Sequence, residues 1–166
     1  MQFKFTQENL DKVNDAIKKY PDKQAAIMPV LWIAQEQNGW ISNEVMQEVA
    51  EVLELNPEEV LGVVTFYTMY HQKPMGKYHL QVCTNVSCML RGGYDIYENV
   101  KKNLGIENMQ VTTDQKFSLE EVECMGSCGT APMIAINEDY YENVTVEKVE
   151  EIIKILTPTL SKGEGV

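Results

Sequence analysis

At 166 residues the chain is long enough for one ordinary domain, or for two small ones that share a core. Fourteen basic residues against twenty-five acidic ones give a net charge of −11, which repels phosphate backbones and anionic membrane surfaces and so disfavours nucleic acid as a partner. An apolar share of 44% with 23% charged residues is that of a folded soluble protein with a real core.

Arg91 is the single arginine, so the bidentate clamps that usually hold phosphates or carboxylates are nearly absent and free nucleotide binding is disfavoured. The longest apolar stretch, Ala25 to Ala34, is interrupted by Pro29 and is far shorter than the roughly 20 residues of a membrane-spanning helix, so no direct membrane insertion is expected. The start, Met1-Gln2-Phe3-Lys4-Phe5, lacks the apolar core and cleavage site of a secretory signal. The expectation is a cytoplasmic, reducing setting, in which structural disulfides are disfavoured.

The first half reads as short helices. Thr6 is an N-cap, with apolar positions at Leu10, Val13, Ile17 and Tyr20 before Pro21 stops the run. A second helix starts at Asp22 or Pro29 and runs to Gln37, with Ile27, Val30, Leu31 and Ala34 on one side and Asn38-Gly39 as its terminus. Ser42 caps a third through Val45, Val49, Val52 and Leu53. Asn56-Pro57-Glu58-Glu59 starts a fourth with cap, first-turn proline and acidic reply in place. Four short helices with brief connections predict a bundle without reactive chemistry of its own, a packing module up to about Tyr70.

After Lys73-Pro74-Met75-Gly76 the texture changes, because Tyr78-His79-Leu80-Gln81-Val82 alternates like a strand and ends on Cys83. A helix is expected from about Ser87 to Leu104, then strands near Phe117–Val122 and Met133–Asn137, a hairpin to Tyr140-Tyr141, and a last helix from Thr145 to Leu156. Strands alternating with helices predict a small α/β layer, so the whole is α+β or α/β. Three segments follow: a helical bundle over 1–75, a second domain over 76–160 and a flexible tail over 161–166.

All four cysteines fall in the second half, as Cys83-x4-Cys88 and Cys124-x3-Cys128 separated by thirty-five residues. Each pair is expected in a loop beside a strand, the two loops converging into one pocket. Four thiolates gathered together repel one another and stay protonated unless a cation of substantial charge joins them. Gly126 and Gly129 would let the second loop aim backbone amides at sulfur, and a helix starting near Cys88 would add its positive dipole end. Zinc sites and redox disulfides usually space their thiols as C-x2-C, which neither pair does, and a Rieske centre needs paired histidine ligands where only His71 and His79 exist. Three readings stay open on spacing alone: an iron–sulfur cluster, zinc, and unliganded buried cysteines.

A family resemblance enters through particular segments: Gln35-Glu36-Gln37-Asn38-Gly39-Trp40-Ile41, Val64-Thr65-Phe66-Tyr67, Pro74-Met75-Gly76-Lys77, Cys83-x4-Cys88, Cys124-Met125-Gly126-Ser127-Cys128 and Ala131-Pro132. Together they make the chain resemble the E-type subunits of NADH:quinone oxidoreductase, respiratory complex I, whose C-terminal half is a thioredoxin-like [2Fe–2S] ferredoxin. The resemblance implies that Cys83, Cys88, Cys124 and Cys128 hold one [2Fe–2S] cluster per chain, and that residues 76–160 form the thioredoxin-like domain, with Pro132 in the place of that fold's cis proline. Met125 replaces the leucine commonly found in this loop, a volume-conserving change.

The resemblance also implies an electron-transfer subunit without catalytic residues of its own, exchanging single electrons with FMN on a neighbouring flavoprotein subunit that binds NADH. The helical bundle, with Phe66 and Tyr67, would dock that partner, and the assembly would place the chain peripherally on the cytoplasmic side of the inner membrane. Gamma subunits of NAD-linked [FeFe] hydrogenases and formate dehydrogenases share this architecture, and a purely structural clamp is a further alternative. No G-x-G-x-x-G and no P-loop occur, so NADH and flavin are expected on the partner alone.

Overall fold

The computed structural model describes residues 3–157, so the expected tail over 161–166 lies outside the described residues. The chain divides into two compact units, one ending at Met75 and the other beginning at Gly76.

The first unit is built from capped helices. Helix α1, Gln7–Ile17, starts where the Asn9 N–H donates to the Thr6 hydroxyl at 3.3 Å, and it buries Val13 and Ala16. A single 3-10 turn, Gln24–Ala26, leads into α2, Ile27–Asn38. Pro29 therefore sits inside the first turn of α2, where its missing N–H breaks no helical bond. Helix α3, Asn43–Leu53, is capped by Ser42, whose hydroxyl accepts the Val45 N–H at 3.3 Å. Helix α4, Pro57–Phe66, carries the capping box expected from its first residues: the Asn56 N–H donates to the Glu59 carboxylate at 3.0 Å.

The apolar faces meet in one core that includes Val30, Leu31, Ile41, Val49, Leu53 and Val60. Each of these large side chains contributes about 1.5–3 kcal/mol on leaving water. Buried Gln35 fastens the segment after α4: its amide donates to the Met69 carbonyl at 2.9 Å and accepts the His71 N–H at 2.7 Å.

The second unit is a five-stranded mixed sheet. Its strands are β1 (Tyr78–Cys83), β2 (Gln110–Val111), β3 (Phe117–Val122), β4 (Ile134–Ile136) and β5 (Asp139–Tyr141). They lie in the order β2-β3-β1-β4-β5, with β1 and β3 parallel and all other neighbours antiparallel. Two helices cover it, beyond a single turn α5 (Val86–Met89) that follows β1. Helix α6, Gly93–Leu104, turns Ile96, Tyr97 and Val100 inward, and α7, Val146–Leu156, buries Val149 and Ile153. These close over Leu80, Val82, Leu119 and Ile134. The polar residues inside are satisfied: the His79 ring bonds Ser118 at 2.8 Å and Glu120 at 3.0 Å, and Gln81 donates to Glu120 at 2.8 Å.

Three local expectations need correction. The helix expected over Ser87–Leu104 is two helices, α5 and α6, because Gly92 takes φ 92° and ends any continuous ladder there. Cys83 ends β1 as the strand reading expected, but Cys88 lies within α5 and not in a loop, and a one-turn helix offers it no sustained dipole. Strand β2 lies outside the expected elements; two residues are too few to show alternation.

Candidate metal centre

Parallel pairing of β1 with β3 puts Cys83 opposite Val122, so the two chain segments carrying cysteines leave the sheet at the same end. Cys83 is the last residue of β1, and Cys124 lies two residues beyond the end of β3. The Thr84 N–H donates to the Val122 carbonyl at 3.1 Å, and the Cys83 N–H to the Met133 carbonyl at 3.3 Å, which ties three segments at this end. Asn85 caps α5 by accepting the Val86 N–H at 2.7 Å, and so fixes the turn that carries Cys88.

The four thiols are unpaired, and they occupy unlike surroundings. Cys83 and Cys88 are 3% and 2% exposed and pack with Ala131 and Met133, with Val122 and Met125 at the edge. Cys124 and Cys128 are exposed, Cys128 opening a 3-10 turn over Cys128–Thr130. The structure thus brings Cys83 and Cys88 together, with Cys128 near enough to Cys88 to act on its charge. Among the described residues, no three Cys, His, Asp or Glu side chains converge closely enough to hold a single metal ion.

Burial pushes the Cys88 thiol up to about 11, and its hydrogen bond with Cys83 adds to the rise. Such a thiol keeps its proton at neutral pH unless a cation displaces it. On the second loop, Gly126 takes φ 78° and its N–H points at the Cys124 sulfur at 3.4 Å, the amide-to-sulfur arrangement expected there. Gly129 differs from expectation: it has no positive φ, and a Cβ on it would meet open space.

A polar brace behind this loop has no counterpart among the sequence expectations. The Ser127 hydroxyl donates to the Glu142 carboxylate and bonds Thr130, while the Asn143 N–H reaches the Thr130 carbonyl at 2.8 Å. The hydroxyls of Ser127 and Thr130 hold the Glu142 carboxyl below its usual range. The Ala131–Pro132 bond is cis, and the Val144 N–H donates to the Pro132 carbonyl at 3.0 Å. A polar hollow of about 570 Å³ lined by Thr84, Asn85, Tyr94, Glu121 and Glu123 adjoins Cys83 along the chain. Of these features the cis Pro132 bond matches what the family resemblance implied, and the Asn85 cap had a local signal, an Asn directly before an apolar turn.

Residues 13–157 match the family model of thioredoxin-like [2Fe-2S] ferredoxins. The chain is 50% identical over 154 residues to the E subunit of NADH-quinone oxidoreductase from Rickettsia bellii (strain RML369-C), covering 91% of this chain and 92% of that protein. It is 47% identical over 146 residues to the mitochondrial NADH dehydrogenase [ubiquinone] flavoprotein 2 of Dictyostelium discoideum, covering 86% of this chain and 59% of that protein. The crystal structure of an NAD+-reducing [NiFe]-hydrogenase in the H2-reduced state matches with a TM-score of 0.67 at 18% identity, over 76% of this chain and 22% of that one. At that identity the likeness speaks to the fold.

The donor set suits the cluster that gives the family its name. A [2Fe–2S] core takes four thiolates spread over two irons, and four unpaired cysteines stand on two segments at one sheet end, beside an amide aimed at sulfur. Sheet order, cysteine placement and a match that runs from α1 to the end of α7 agree, and the chain belongs to the thioredoxin-like [2Fe-2S] ferredoxin family.

Proposed function

We propose that the chain is the electron-transfer subunit of an NADH:quinone oxidoreductase, with Cys83, Cys88, Cys124 and Cys128 holding its one [2Fe–2S] cluster. When bound, that cluster supplies one-electron chemistry beside a flavin carried by a neighbouring flavoprotein subunit. The observation that carries the reading is the Cys83–Val122 register, which delivers both cysteine segments to one end of the sheet.

The residues divide the labour. Cys83 and Cys88 supply a buried half-site, in which the Cys88 thiol keeps its proton at neutral pH unless a cation displaces it. Cys124 and Cys128 supply an exposed half-site, the side open to a partner. Gly126 aims its N–H at Cys124, and the Ser127–Glu142–Thr130 brace holds the loop in place.

NADH and FMN belong to the partner, since this chain has no dinucleotide fingerprint and one arginine. The helical unit serves as the docking module, and the assembly is peripheral on the cytoplasmic face of the inner membrane. Among the described residues no helix is long and apolar enough to cross a membrane. Relatives at 44–50% identity are named as E subunits of NADH-quinone oxidoreductase, whereas the likeness to a hydrogenase stands at 18% identity, which favours the former parent complex.

The test is to purify the native assembly, identify its companion proteins, and count iron and labile sulfide in this chain. Two of each per chain, with an EPR signal that appears on adding NADH to the assembly, is the expected result. A colourless chain with stoichiometric zinc overturns it.

A further inference from the structure

Arg91 is the chain's single arginine, and its Nη1 donates to the Ala131 carbonyl at 3.1 Å. The bond joins segments that are 40 residues apart. On one side, Arg91 closes the turn after α5, its own N–H bonded to the Cys88 carbonyl at 3.1 Å. On the other, Ala131 directly follows the turn that Cys128 opens. One guanidinium therefore spans from the segment bearing Cys88 to the segment bearing Cys128.

The base of this arm is held firmly. Gly92 reverses the chain at φ 92°, and Gly93 packs so closely that a Cβ there would stand 2.8 Å from the Cys83 carbonyl oxygen and 2.9 Å from that of Cys88. The two stretches of chain that carry the cysteines are acidic. Within Tyr78–Val100 and Phe117–Glu147, the stretches that carry the cysteines, Arg91 is the only lysine or arginine, against the carboxylates of Asp95, Glu98, Glu120, Glu121, Glu123, Glu138, Asp139, Glu142 and Glu147.

We propose that Arg91 is a positioning residue for the cluster: its guanidinium clasps the Cys88 and Cys128 segments together, and its charge favours the reduced form. The inference rests on the ligand set given under Proposed function. Reduction adds one electron, taking four thiolates plus the core from about −2 to about −3 in total charge, and a nearby cation favours the more negative state. Arg91 is exposed, so water and salt temper the effect without removing it.

The experiment uses the full chain reconstituted with iron and sulfide, as wild type, R91Q and R91K. It reads iron and sulfide content, the midpoint potential in a dithionite titration followed by EPR, and the rate at which a chelator strips iron. For R91Q the reduction equilibrium constant should fall about threefold to tenfold, a potential lower by roughly 30–60 mV at 59 mV per tenfold for one electron. The chelator should also act several-fold faster on R91Q. R91K should keep the potential near wild type, because the charge stays, yet lose iron faster, because an ammonium lacks the planar fork. The R91Q shift should shrink as salt is raised.

R91Q matching wild type in both potential and chelator rate overturns this inference while the ligand assignment stands. A shift of equal size in R91K and R91Q overturns the charge part of it. Wild type that takes up no cluster overturns the ligand assignment, and this inference with it.

Discussion

Cys83, the last residue of β1, faces Val122, the last residue of β3, across a parallel pair. Parallel strands send both following segments out at their shared C-terminal end, which is where α/β layers commonly build their sites. An antiparallel β1–β3 pair would have sent the two cysteine segments to opposite ends. The shared exit of the two cysteine segments is thus a consequence of strand direction first and of loop chemistry second.

The unlike burial of the thiols predicts that the four cysteine-to-serine variants split in one measurement and agree in another. Each should lose most of its iron, since a missing thiolate opens iron to water. In the metal-free protein, Cys83→Ser and Cys88→Ser should also destabilise the fold by about 1–3 kcal/mol, because a hydroxyl then sits in an apolar cluster with Ala131 and Met133. Cys124→Ser and Cys128→Ser, being exposed, should stay within about 0.5 kcal/mol of wild type. Denaturant unfolding after chelation checks the split, and equal effects at all four positions would contradict the burial described.

Gly93→Ala should be far more damaging than an ordinary glycine-to-alanine change in a helix. The new Cβ would approach the backbone of both Cys83 and Cys88 at under 3 Å, and backbone cannot swing aside as a long side chain can. Overpacking of this kind typically costs about 1–3 kcal/mol. Because the displaced atoms belong to two cysteines, iron retention should fall with stability. Iron content at wild-type level together with unchanged unfolding would show that the contact relaxes freely.

Much of this architecture is legible from short segments. Asn56-Pro57-Glu58-Glu59 announces α4 because cap, first-turn proline and acidic reply act within one turn, and Thr145 announces α7 by its cap alone: its hydroxyl accepts the Lys148 N–H at 3.3 Å. The break between α5 and α6 is also written in Leu90-Arg91-Gly92-Gly93, but the apolar periodicity from Cys88 to Leu104 masks it unless the paired glycines are weighed against it. The Arg91–Ala131 bond and the Ser127–Glu142 brace leave no local trace, since each joins residues that meet only once the sheet is formed. Cysteine spacing narrows the chemistry, whereas which thiols are buried follows only from the fold.

Tyr70 predicts an alkaline limit for the helical unit. Its hydroxyl donates to the Met28 carbonyl at 2.9 Å, the residue is 2% exposed, and burial pushes its pKa up from the ordinary 10.0 to about 12, the nearby Tyr67 adding to the rise. The folded protein therefore holds the phenolic proton more tightly than the unfolded chain does. This contribution to stability is fully present below about pH 10 and is lost as pH rises through about 12. Tyr70→Phe should cost about 1 kcal/mol at neutral pH for the lost hydrogen bond, and should flatten the decline between those two values. Unfolding curves across that range test it; a variant declining as steeply as wild type would assign the alkaline loss to other groups.

The last prediction concerns what the chain does only in company. Phe66, at the end of α4, is 77% exposed, and its ring meets that of half-exposed Tyr67 edge-on at 4.9 Å. Large aromatic side chains left in water cost a monomer apolar exposure and supply the kind of anchor that dominates interfaces. Phe66→Ser should leave unfolding within about 0.5 kcal/mol of wild type, since little burial is lost. It should nevertheless weaken association with the flavoprotein subunit by about tenfold or more. The purified chain should show no NADH–dye turnover by itself, and should gain an EPR-visible reduced state only when the flavoprotein subunit and NADH are both added. Mixing chain, partner and NADH in each combination, while following co-elution and flavin reduction, separates the two claims. Unchanged affinity of Phe66→Ser would remove this end of α4 from the interface, and turnover by the isolated chain with bound FMN would end the division of labour between the two proteins.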